Sequence, residues 1–133
     1  MPDETRVAIH SATDIVTARQ KGRALASALG FEGVDLTLIA TAISEVARNI
    51  VDHAKDGEII LKEVNQSHQR GIAIVARDAG PGIPDVNLAM QYGYSTRKGL
   101  GVGLPGAKWL MDEFEVNSNV GRGTTVEMKK WLR

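Results

Sequence analysis

The sequence predicts an α+β domain, a two-layer sandwich with helices on one face of a mixed, mostly antiparallel sheet. Three observations carry this. Apolar residues recur at spacings of three and four over residues 35–50, which is the period of a helix with one committed face. Two stretches alternate or run apolar on either side of short polar turns, which is how hairpins read. The elements fall in the order β-α-α-β-β-(α)-loop-α-β-β, not in the strict alternation that builds a parallel sheet.

Each element has a local cause. Residues Arg6 to His10 place Val7 and Ile9 on one face and predict a short first strand. Ser11 and Thr13-Asp14 supply helix-starting side chains, and a helix follows to about Leu29, with Gly30 where a C-terminal cap belongs. Asp35 opens the strongest helix, whose core face is Leu36, Ile39, Ala40, Ile43, Val46, Ala47 and Ile50. On another face Glu45, Asn49 and His53 lie four residues apart and stack along one ridge.

Asp56-Gly57 breaks that helix and opens a hairpin of Glu58 to Val64 and Gly71 to Asp78, turning over Asn65 to Arg70. Two prolines and two glycines in Gly80-Pro81-Gly82-Ile83-Pro84 end the strand. A short helix near Val86 to Met90 is expected, then a polar loop from Tyr92 to Gly99, then a helix from Val102 or Gly103 to Met111. A second hairpin pairs Phe114 to Ser118 with Thr124 to Leu132 across Asn119 to Gly123.

Composition narrows the function. The 133 residues suit one domain, 1–133, large enough for a hydrophobic core. Sixteen basic residues balance sixteen acidic ones, which argues against bulk electrostatic binding to nucleic acid or anionic lipid. There is no cysteine, hence no disulfide framework, thiol nucleophile or cysteine metal cluster. His10 and His68 have no metal-site spacing. With no signal core or membrane span in the sequence, a soluble cytoplasmic protein is expected.

Glycine is the informative residue. Nine of the fourteen glycines follow residue 79, in the groups Gly80/Gly82, Gly93/Gly99/Gly101/Gly103/Gly106 and Gly121/Gly123. Gly101-Val102-Gly103-Leu104-Pro105-Gly106 matches the dinucleotide fingerprint, but no strand precedes it and the required acidic residue has no place to follow. A Walker A loop fails too, since Ala107 stands where its lysine belongs. A glycine loop feeding a helix N-terminus still offers free N–H groups to a phosphate. Arg97 and Lys98 lie just upstream, and Asn49 offers an oxygen suited to hydrated Mg²⁺. Bland readings stand beside these: Glu45 and Asn49 as solvated helix residues, Asp78 as a turn-former before Gly80, Arg97 and Lys98 as an exposed basic pair. Trp109 and Trp131 suggest packing or partner surface.

Four segments resemble the N box and glycine boxes of the GHKL (Bergerat-fold) ATPases, in order and spacing from about residue 35 to 130. They are Glu45-Val46-Ala47-Arg48-Asn49, Asp78-Ala79-Gly80-Pro81-Gly82, Gly99-Leu100-Gly101-Val102-Gly103-Leu104 and Gly121-Arg122-Gly123-Thr124-Thr125. Further stretches are similar to the small bacterial serine/threonine switch kinases of stressosome partner-switching pathways. These are Asp14-Ile15-Val16, Thr41-Ala42-Ile43-Ser44-Glu45, Asp78 to Asp85, Leu110-Met111-Asp112-Glu113-Phe114 and Lys130-Trp131-Leu132-Arg133.

The resemblance implies a protein serine/threonine kinase using ATP and Mg²⁺. Asp78 would accept from the adenine amino group, aided by Thr124 and a water, with Gly80, Gly82 and Ile83 against the purine. Asn49 would hold Mg²⁺. Gly99, Gly101, Val102, Gly103 and Leu104 would line the phosphates beneath a lid from Tyr92 to Leu100, with Arg97 or Lys98 reaching the γ-phosphate. Glu45 would be the general base, and Arg48 has no assigned role. Implied partners are STAS-domain substrates and a PP2C-type phosphatase. An ATP-dependent binding module, such as an anti-sigma factor, is the alternative. A detached histidine kinase catalytic domain fits less well, because the chain has no room for a helix carrying a phosphoacceptor histidine.

Overall fold

A computed structural model describes residues 4–81 and 103–133. The elements are β1 (Glu4–Ile9), α1 (Ala12–Leu29), α2 (Val34–His53), β2 (Gly57–Gln66), β3 (Gln69–Asp78), α3 (Gly103–Leu110), β4 (Glu113–Asn119) and β5 (Gly123–Trp131). The five strands form one sheet in the order β1-β2-β3-β5-β4, and every pairing is antiparallel. The expected α+β sandwich is present, but the sheet expected to be mixed is antiparallel at every pairing among the described residues. The expected helix at Val86 to Met90 and the loop from Tyr92 to Gly99 lie outside the described residues.

One side of the sheet is committed to the helices. Val7, Ile9, Ile59, Leu61, Ile72, Ile74, Ala76, Val126 and Met128 alternate along their strands and share one core with Ile15, Ala18, Ile39, Ile43, Val46 and Ile50. The other side carries charge around a small apolar strip. There Trp131 is buried and its ring covers Gly71, whereas Trp109 on α3 is 80% exposed.

Local chemistry sets the ends. Asp14 Oδ2 accepts from the His10 and Ser11 amides at 2.8 and 3.2 Å, satisfying donors before the first turn of α1. Gly30 closes α1 in the left-handed conformation, with the Phe31 amide bonded back to Ala26. The first hairpin is tighter than expected. Its strands run to Gln66 and from Gln69, leaving Ser67 and His68 as a two-residue turn, both at positive φ. That loop length matches the twist of the strands, but no Asn-Gly pair announces it in the sequence.

Candidate nucleotide site

Asp78 is the last residue of β3, on the helix-facing side of the sheet after Ile72, Ile74 and Ala76. Its Oδ1 accepts from the Gly80 amide at 2.8 Å and the Thr124 amide at 3.3 Å. The turn-forming reading of Asp78 is therefore correct for one oxygen. Among the described residues, Oδ2 takes no hydrogen bond. A half-buried carboxylate with one oxygen tied down and the other open suits a ligand donor such as an exocyclic amine.

The backbone crowds around this carboxylate. Gly123 has φ +114°, and a Cβ there would stand 2.1 Å from the Asp78 carbonyl oxygen. At Gly80 a Cβ would stand 2.5 Å from that of Ala54, just past the end of α2. Gly80 is thus required for the loop to reach α2, a need separate from any contact with a purine. The Gly121 amide donates to Pro81 O at 2.8 Å and ties the β4–β5 turn to the same loop. Gly57, opposite Asp78 in the β2–β3 register, is a third close approach and was not singled out as a site residue from sequence.

Thr124 is buried and touches Asp78 through its amide; its hydroxyl lies 2.8 Å from the Ser118 hydroxyl. Ser118 is a site neighbour that sequence reasoning missed. Only the strand register, which sets Ser118 opposite Thr124, reveals it.

The ridge on α2 runs from inside to outside. Glu45 is 5% exposed, Asn49 half-buried and His53 exposed. Arg48 Nη1 lies 3.2 Å from Glu45 Oε2, which gives the buried carboxylate a cationic partner. The solvated reading therefore fails for Glu45. Helix α3 packs against α2, and Leu104 is buried in the core, so only its backbone could face a phosphate. Gly103 begins α3. Gly82, Ile83, Arg97, Lys98, Gly99, Gly101 and Val102 lie outside the described residues.

Residues 10–130 match the histidine kinase-like ATPase domain family. The chain belongs to that family. Gly57, Gly80 and Gly123 close around Asp78, at the sheet end that the residue after α2, Ala54, meets through Gly80. Among curated relatives, the chain is 51% identical over 133 residues to the serine/threonine-protein kinase RsbT of Bacillus subtilis, covering 100% of both chains. It is 37% identical over 98 residues to an anti-sigma F factor of Caldanaerobacter subterraneus subsp. tengcongensis, covering 71% of this chain and 68% of that one. An anti-sigma F factor of Clostridium novyi is 35% identical over 106 residues, covering 74% and 73%. Among the described residues, no helix is long and apolar enough to cross a membrane.

Proposed function

We propose that this chain is a single ATP-binding kinase domain, residues 1–133, that phosphorylates serine or threonine on STAS-domain proteins in trans. Released from that partner, it engages a PP2C-type phosphatase in a stressosome partner-switching pathway. The chain is a protein serine/threonine kinase that uses ATP, in keeping with its full-length relative and its ATPase-domain family. The observation that carries the catalytic reading is the burial of Glu45, one helical turn from Asn49. A carboxylate held out of bulk water beside the Mg²⁺-binding position is placed to take the proton of a hydroxyl brought to it.

Bound ATP with Mg²⁺ supplies the transferable phosphoryl group and neutralises much of its charge. The chain's residues fit that group: Asp78 keeps an open acceptor for the adenine amine, and Asn49 offers a neutral oxygen to a hydrated cation. Gly103 and Leu104 present backbone amides at the start of α3. By resemblance to the family's boxes, Arg97 or Lys98 would serve the γ-phosphate, and Gly82, Ile83, Gly99, Gly101 and Val102 would serve the nucleotide. Glu45 takes the proton of the acceptor hydroxyl, while Arg48 holds its carboxylate in place.

The test is incubation with γ-labelled ATP and STAS-domain partners, followed by acid treatment. Acid-stable label on the partner supports serine or threonine phosphorylation. Acid-labile label points to histidine. ATP binding without transfer favours the binding-module reading, which the similarity to anti-sigma F factors keeps in view.

A further inference from the structure

The end of α3 away from the phosphates is fastened to the end of β5 by contacts that nucleotide binding leaves unused. Lys130 lies on the helix-facing side of β5, opposite Ile72, and is only 9% exposed. Its Nζ donates to the carbonyl of Leu110, the last residue of α3, at 3.0 Å. Two residues on, the Asp112 amide donates to Lys129 O at 3.0 Å. Asp112 Oδ2 accepts the Trp131 amide at 2.8 Å, and Oδ1 takes the Arg133 guanidinium at 2.6 Å.

A buried ammonium is costly unless the protein replaces its water. A helix C-terminus can do so, because its carbonyls lack intrahelical partners and carry the negative end of the dipole. Along its side, α3 is held by Leu104, Ala107 and Met111 just beyond it, all buried in the core. With its last turn tethered and one face packed, the direction of its first amides is set from the far end.

We propose that Lys130 is a positioning residue for the phosphate end of the nucleotide site. By gripping the Leu110 carbonyl it fixes the line of α3, and with it the aim of the Gly103 and Leu104 amides. Its charge at the helix C-terminus also complements the dipole whose positive end faces the phosphates. This inference rests on the nucleotide reading above.

A role in stability alone would weaken every adenine nucleotide alike. A positioning role falls on those whose phosphates reach α3. Lys130→Met keeps the apolar stem and leaves the Leu110 carbonyl without its donor; Asp112→Ala loosens the same anchor from its other side. AMP, ADP and ATP are measured by competition against a fluorescent ATP analogue. ATP should weaken about fivefold or more in Lys130→Met. AMP should change less than about twofold, and Lys130→Arg should recover most of the ATP affinity. Asp112→Ala should shift ATP the same way by less, which keeps the inference testable if Lys130→Met does not fold. Equal loss for all three nucleotides, or no loss in either variant, overturns it. Wild-type protein that binds no ATP, or Asp78→Asn that binds it normally, sinks the nucleotide reading instead.

Discussion

Thr124 stands opposite Asp78 in the β3–β5 register, and its amide shares Asp78 Oδ1 with the amide of Gly80. Two donors on one oxygen fix the plane of the carboxylate and leave the other oxygen without an amide donor among the described residues.

Asp78→Asn follows from that arrangement. An asparagine can still accept both amides through its oxygen, so the turn should survive, but its second group is a donor that opposes the adenine amine. The variant should melt near the wild type and lose ATP binding. Calorimetry showing near-native affinity would remove Asp78 from the adenine role.

Gly123→Ala should damage the same place by another route. The new methyl meets the Asp78 carbonyl at 2.1 Å, at a φ of +114° that a side chain tolerates poorly. Strain of this kind costs about 2–3 kcal/mol, readable as an earlier urea midpoint. Unchanged stability would mean that the β5 entry can move aside.

Glu45 separates chemistry from binding. Removing a placed general base typically costs ~10²–10⁴ in rate and leaves ground-state binding nearly intact. Glu45→Ala should bind ATP and the STAS-domain partner almost normally and transfer phosphate at least about a hundredfold more slowly. Because Arg48 is one-third exposed, water can satisfy it when the carboxylate is gone. Wild-type transfer by this variant would refute the base.

Asn49→Ala should bind nucleotide with an affinity that no longer responds to Mg²⁺, and should not transfer. A titration of binding against Mg²⁺ concentration decides it. A preserved Mg²⁺ dependence would mean that another group holds the cation.

Asp14→Ala tests the start of α1 apart from the site. Loss of the carboxylate leaves the His10 and Ser11 amides without their acceptor, at a cost of about 1 kcal/mol. Thermal unfolding should shift down while ATP affinity holds.

The sequence by itself determined α1, α2, α3 and both hairpins, because period and breakers are local properties. The apolar spacing of α2 needs no partner to be read, and Gly30 can only end a helix in that context. It also determined the four boxes, whose order carries the resemblance to the ATPases. The two-residue turn at Ser67 and His68 escaped it, since neither residue announces positive φ as Asn-Gly would. Tertiary structure alone decided how deep each ridge residue lies. Spacing puts Glu45, Asn49 and His53 in one row, but only the folded chain sinks Glu45 and leaves His53 in water. It alone showed that Gly57, Gly80 and Gly123 are demanded by backbones and side chains up to dozens of residues away. It alone joined Lys130 to Leu110. Such contacts depend on which strands are neighbours, and β5 lies between β3 and β4 for reasons of whole-sheet topology that no local window contains.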